Sequence, residues 1–310
     1  MLFELSDDLL GNCTDETSAE LDGMQDLLLA ARKGHHAICG SKKIFSLLSK
    51  NASLSQRERA MARTLANRSI DLSALTKKIR HRVIVQASNM HGITKTHDEI
   101  WNVNIKQLTE KFLSSSIVLA ENMIDAELYQ FAGQHFQIQE RMNTVALKST
   151  ARGGGGSQID VELRSLLTSG YPVIAVTDGD RAYPGAEASI ISKRCDGYVS
   201  ENLGVGWHIS LPAREIENLI PFNILEGVAD PELASEANSL IKDIQFAGIE
   251  TDAQPKNYVC LKRGICLAQV FNTTSKAERD YWLEISESIK HKRHPAFSDC
   301  LQSGTCLTEA

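Results

Sequence analysis

The stretch 172-PVIAVTDGD-180 opens on a proline, runs through Val-Ile-Ala-Val and ends in two aspartates separated by one glycine. A short, near-continuous apolar run is the pattern of a strand buried on both faces, as in the parallel sheet of an α/β protein. A carboxylate is costly to bury, and two within a few ångströms repel. Asp178 and Asp180 therefore belong to a water-filled sheet edge or hold a cation. The triplet is also a common turn, because aspartate and glycine suit turn backbones.

The same pattern surrounds this stretch. Between 116 and 222, short apolar runs alternate with helical segments: 116-SIVLA-120, a helix near 124–134, 143-NTVALKS-149, a helix near 157–168, 172-PVIAVT-177 and 207-WHISL-211. Such alternation predicts a parallel sheet covered by helices on both faces. Ligands of open α/β sheets gather where the strands end. Glu121 follows the first run, Lys148, Arg152 and 153-GGGG-156 follow the second, and Asp178 and Asp180 end the third. The fourth leads into 211-LPAREIENLIP-221, with Arg214, Glu215 and Glu217. The glycine run reads as a loop that approaches a phosphate, although its composition also suits a slack linker.

Residues 1–23 carry seven acidic side chains and no basic one, which predicts a mostly flexible or loosely docked segment. From 24 to 115 the chain reads as α-helical. The segments 24-MQDLLLAARKG-34, 55-SQRERAMARTLANR-68 and 71-DLSALTKKIRHRVIVQ-86 are rich in helix formers and cap signals. Residues 223–310 read as a mainly helical extension, with a strand signal near 258-YVCLK-262.

The net charge of −6 hides an asymmetry. Arg32 to Lys111 holds 16 Lys plus Arg against 5 Asp plus Glu, a local +11, which leaves −17 for the remainder. A basic region beside an acidic one suits a polyanion contacted by one part and acted on by another. A solvated helical surface is the plainer reading of the same charges. Arg57, Arg59 and Arg63, on one predicted helix, are the candidate phosphate contacts there, with Arg152 nearer the strand ends.

A hydrophobic fraction of 42% with 23% charged residues excludes a disordered chain. No run of 18 apolar residues appears, and the first residues lack the order of a signal peptide, so a cytoplasmic protein without membrane association is expected. The seven cysteines fit reduced thiols. The pairs Cys260/Cys266 and Cys300/Cys306 each leave five residues between, wider than usual for structural zinc.

The combination of 121-ENMID-125 after one strand and Asp-Gly-Asp about fifty residues on resembles the TOPRIM domain of topoisomerases, bacterial primases and overcoming-lysogenisation-defect nucleases. The likeness covers residues 116–222, and 211-LPAREIENLIP-221 is similar to the acidic stretch of TOPRIM-like proteins in anti-phage systems. The resemblance implies an α/β fold: a Rossmann-like TOPRIM domain with a mainly parallel sheet, between the helical N-terminal and C-terminal regions. It implies Mg²⁺ (or Mn²⁺) held by Glu121, Asp178 and Asp180, with Asp125 on the following helix. Asn122 stands where the family often has glycine.

Magnesium is a hard cation that takes one or two carboxylates together with phosphate oxygens and water. Glu215 or Glu217 would complete a second metal position. Lys148 and Lys262 are the cations placed to assist the scissile phosphate or the leaving group. These features imply a metal-dependent nuclease of DNA or RNA, of the kind that serves as an anti-phage effector. The chain shows no G-x-x-x-x-G-K-S/T stretch, so a controlling ATPase or other regulator would be a separate protein. Self-association into a homo-oligomer stays open. The alternative is a TOPRIM-like nucleic-acid scaffold or assembly subunit that lacks catalysis.

Overall fold

A computed structural model describes residues 1–11, 18–87, 93–97, 99–142, 148–201, 203–219, 255–258 and 275–291. The chain is an α/β protein with two mainly parallel sheets. It divides into two compact units, residues 1–176 with 194–209 and residues 177–193 with 210–310.

The first unit begins with a five-stranded sheet of β1 (Leu2–Leu5), β2 (Ala37–Cys39), β3 (Arg82–Gln86), β4 (Thr94–His97) and β5 (Ile100–Asn104) in the order β2-β1-β3-β5-β4. All neighbours are parallel except β4, which pairs antiparallel with β5 at one edge. Four helices accompany it: α1 (Ala19–Lys33), α2 (Lys42–Leu48), α3 (Gln56–Asn67) and α4 (Ser69–Lys78). The Ser18 side chain caps α1 by accepting from the Leu21 amide at 3.1 Å, and Gly34 closes it with φ 76°. Ser55 and Glu58 form a capping box at the start of α3.

This corrects the expectation of an all-helical region over 24–115. The C-terminal part of 71-DLSALTKKIRHRVIVQ-86 is strand β3, because Val83 and Val85 alternate into the core while Arg82, Ile84 and Gln86 face the other way. β-branched residues at a period of two outweigh the helix formers before them. The acidic N-terminal segment is corrected as well. Leu2, Phe3 and Leu5 are buried in β1, which lies between β2 and β3. Burying such side chains stabilises the fold by about 1.5–3 kcal/mol each, enough to fix a segment whose charges suggest mobility.

The second sheet is all parallel, with β6 (Ser116–Ala120), β7 (Ser149–Gly153), β8 (Val173–Thr177) and β9 (Gly206–Ser210) in the order β7-β6-β8-β9. Three of the expected strands fall here as read. The second does not: the strand is 149-STARG-153, while residues 143–147 of the expected run lie outside the described ones. Helices α5 (Met123–Gln139), α6 (Ile159–Thr168) and α7 (Ile190–Ser200) follow β6, β7 and β8. The Trp101 indole, fully buried on β5, donates to the Gly206 carbonyl on β9 at 3.2 Å and so ties the two sheets together. In α5 only Ala126 is buried, and Ile124, Phe131, Phe136 and Ile138 are each more than half exposed.

In the second unit, α8 (Lys276–His291) carries Tyr281 and Trp282. The Trp282 indole donates to the Ala182 carbonyl at 3.0 Å, and the Tyr281 ring stacks edge-on between those of Trp282 and Tyr258 at 5.0 and 6.1 Å. Helix α8 lies within the extension read as mainly helical, most of which lies outside the described residues. Tyr258 ends a short 3-10 turn, and the rest of the strand signal at 258–262 lies outside the described residues.

Candidate metal site

Strands β6 and β8 are neighbours in parallel register, with Ala120 opposite Val176. The chain leaves β6 at Glu121, and it leaves β8 through Thr177 into Asp178. Two adjacent central strands thus end on one edge of the sheet, each followed by a carboxylate.

On the first unit, the glycine run builds the surroundings of Glu121. The Gly154 amide donates to the Ala120 carbonyl at 2.7 Å, and the Gly156 amide donates to the Glu121 carbonyl at 2.9 Å. A Cβ on Gly153 would stand 2.9 Å from the Met123 amide nitrogen, and one on Gly154 would stand 2.7 Å from the Ile159 side chain. The run is therefore a fitted loop between the end of β6 and the start of α6, which rules out a slack linker. Asn122 is extended, with φ −120° and ψ 158°, so the glycine it replaces is not required for backbone reasons. Its side-chain amide donates to Asp125 Oδ2 at 3.2 Å, which holds Asp125 in the first turn of α5, where the helix dipole favours a carboxylate.

Asp160 carries no sequence signal beyond its place just after the glycine run. In the structure it is buried in the first turn of α6, 3% exposed, with Arg194 Nη1 at 3.5 Å from Oδ2. Cys195, beside Arg194 on α7, is fully buried. Burial, and then the negative charges of Asp160, Asp196 and Glu121, push its thiol up to about 12. This thiol stays protonated at neutral pH and is no nucleophile.

On the second unit, Asp178, Gly179 and Asp180 pass the segment 211–214 closely. The Leu211 amide donates to the Thr177 carbonyl at 3.0 Å, and the Asp180 amide donates to the Arg214 carbonyl at 2.9 Å. A Cβ on Gly179 would stand 2.2 Å from the Ala213 carbonyl oxygen and 2.5 Å from that of Leu211. Only glycine fits between these two backbones. Asp180 is exposed and adopts φ 50°, a left-handed conformation that aspartate tolerates at a cost of roughly 1–2 kcal/mol. Glu215 and Glu217 follow at a short 3-10 turn, Ile216–Leu219, in which buried Asn218 accepts from the Glu215 amide at 2.8 Å.

Several candidate residues are placed differently from expectation. Lys148 precedes β7 and donates its amide to the Gly34 carbonyl at 2.7 Å, so it lies at the starting edge of the sheet, away from the end that carries Glu121. The reason is the shift of the second strand toward 149–153. Arg152 lies within β7 and pairs with Glu162 of α6 at 2.5 Å instead of extending from a loop. Arg57 and Arg63 are exposed on α3 and Arg59 is half-buried. Lys262 and the cysteines at 260, 266, 300 and 306 lie outside the described residues.

Among the described residues, no three His, Cys, Asp or Glu side chains gather closely enough to hold a metal ion. The expected crowd of four or five carboxylates is therefore not assembled there. What the chain offers in one place is the pair Asp178 and Asp180, hard oxygen donors of the type and number that magnesium takes beside substrate phosphates. Among the described residues, no helix is long and apolar enough to cross a membrane. Comparison of the chain with protein-family models, curated proteins and solved structures gave no match.

Proposed function

We propose that this chain is a metal-dependent nuclease whose catalytic part is a TOPRIM-like sheet. The observation that carries the proposal is the pairing of β6 with β8 in parallel register, with Glu121 and Asp178 as the carboxylates that follow their ends. Two further features support it. Gly179 is wedged against two carbonyl oxygens, and Asp180 adopts a left-handed conformation, the kind of local cost that clusters at functional sites.

In this reading Asp178 and Asp180 would hold Mg²⁺ or Mn²⁺ together with substrate phosphate oxygens and water, and the resemblance adds Glu121 as the group that would orient the attacking water. The bound ion would polarise the scissile phosphate and acidify a water molecule. Asp125 and Asp160 would act at one remove, Asp125 through Asn122 and the start of α5, Asp160 through Arg194. Glu215 and Glu217 sit in the segment that follows the Asp180 contact, where they would tune a second ion position. Arg57, Arg59 and Arg63 would bind the polyanion by phosphate contacts. An anti-phage setting and a separate ATPase partner belong to the same proposal and rest on the resemblance alone.

The proposal is tested by incubating the purified chain with plasmid DNA, single-stranded DNA and total tRNA, with Mg²⁺, Mn²⁺ or a chelator. Metal-dependent cleavage of any substrate supports it. Binding of nucleic acid without cleavage under every metal condition favours the scaffold reading instead.

A further inference from the structure

Helix α5 turns its apolar side outward. Its one buried residue is Ala126, and the Gln130 side-chain amide donates to the Ser149 hydroxyl on β7 at 3.0 Å, so the face toward the sheet is small and polar. Roughly opposite Ala126 around the helix stand Ile124, Leu128, Phe131, His135 and Ile138. The four apolar ones are 76, 40, 65 and 61% exposed. Their spacing alternates between four and three residues, as the a and d positions of a heptad do. Such positions form one narrow seam along a helix and suit a second helix packed alongside.

The area and the charge of the helix name the occupant. At about 200 Å² per large side chain, the seam and the flanking Met123 and Phe136, 50 and 55% exposed, offer on the order of 700 Å². The largest apolar patch of a soluble monomer is about 300–600 Å², and a stable dimer buries about 800 Å² per partner. With the aliphatic parts of Glu127 and Gln134 beside the seam, α5 reaches the size that a dimer needs. The helix holds no lysine or arginine, whereas surfaces for membranes and nucleic acids are basic. Its ionisable groups are unevenly placed, with Asp125 and Glu127 in the first two turns and His135 on the seam near the other end. A parallel pair would gather four carboxylates at one end. An antiparallel pair sets each His135 against the acidic start of its neighbour and aligns the helix dipoles head to tail.

We propose that α5 is the dimerisation helix of this protein and pairs with α5 of a second copy, in antiparallel order about a two-fold axis. In that order Leu128 meets Phe131 of the second copy, and Ile124 meets its His135. The same patch serves both copies, as a two-fold interface requires. Two heptads are short for an isolated coiled coil. Here the helix is already held against the sheet through Ala126 and Gln130, so pairing has little chain left to order. The proposal does not depend on nuclease activity.

The test is sedimentation equilibrium of the full chain, in the wild type and in Leu128→Glu, Phe131→Glu and Gln134→Lys variants. The wild type should dimerise with micromolar or tighter affinity. Leu128→Glu and Phe131→Glu each put a carboxylate into the seam and should weaken the dimer by about a hundredfold or more. Both side chains already face solvent, so circular dichroism and melting of the separated chains should show an intact fold. Gln134→Lys should tighten the dimer a few-fold, because antiparallel order brings residue 134 beside Glu127 of the second copy. A wild type that stays monomeric at high micromolar concentration, or folded Leu128→Glu and Phe131→Glu chains that dimerise as the wild type does, overturns the proposal. A Gln134→Lys chain with no gain overturns the antiparallel order. Flotation of a monomeric wild type with phosphatidylcholine and phosphatidylserine vesicles overturns the proposal in favour of a membrane surface.

Discussion

The amide of Asp180 donates to the carbonyl oxygen of Arg214 at 2.9 Å, and Gly179, the residue before it, lies against the carbonyl oxygens of Leu211 and Ala213. Two stretches of backbone thus touch where the Asp-Gly-Asp triplet leaves β8. The contact fixes the path of the triplet through main-chain atoms.

Gly179→Ala should therefore be costly. A methyl group 2.2 Å from a carbonyl oxygen forces one backbone to move, a change of the overpacking kind worth about 1–3 kcal/mol or more. Urea unfolding should show the loss of stability, and any metal affinity should fall with it. A variant as stable as the wild type would mean that the segment 211–214 packs against the triplet less closely than described.

Cys39 and Cys195 should resist modification in the folded protein. Burial pushes both thiols up to about 12, with the charge of Glu4 adding for Cys39 and those of Asp160, Asp196 and Glu121 for Cys195. At pH about 8 both are protonated and shielded. Peptide mapping after treatment with a thiol reagent should find these two unmodified until denaturant is added. Prompt labelling of either in the native state would contradict the burial.

The pH dependence of stability should carry a mark of His36. The ring is buried against Phe3, with centroids 4.6 Å apart, and burial lowers its pKa from 6.5 to about 2, with the amino terminus and His35 contributing in the same direction. In the unfolded chain the ring takes up a proton below about 6.5, whereas in the folded chain it stays neutral. Its contribution is fully present above about 6.5 and is lost progressively as the pH falls toward the folded value. Urea midpoints measured from pH about 7 to about 5 should decline in the wild type and decline less in His36→Leu. Equal slopes would show that the ring charges in the folded state or remains neutral in both states.

The second sheet was legible because its strands are buried on both faces. Ser116–Ala120 and Val173–Thr177 are short apolar runs bounded by polar residues, and such runs point to little else. The first sheet was hidden for the opposite reason. Leu2–Leu5 sits in an acidic stretch, Ala37–Cys39 is only three residues long, and Arg82–Gln86 directly follows a helix rich in lysine. β7 escaped because 149-STARG-153 has no apolar residue larger than alanine and takes its place from backbone pairing with Ser116–Ala120. At the candidate site, the aspartates and the glycine run announced themselves by composition. Asp160 did not, since its meaning comes from burial and from Arg194, thirty-four residues away in the chain.

The central claim is that the carboxylates following β6 and β8 serve metal-dependent cleavage, and its most direct test is a comparison of wild type, Glu121→Ala and Asp178→Ala on the nucleic acid that the wild type cleaves. Both side chains are half-buried at strand ends, outside the apolar core, so the variants should melt close to the wild type. Each should lose cleavage by about a hundredfold or more, the scale on which removal of one charge-stabilising group acts. Folded variants that cleave at the wild-type rate, or a wild type that cleaves nothing with either metal, would contradict the account.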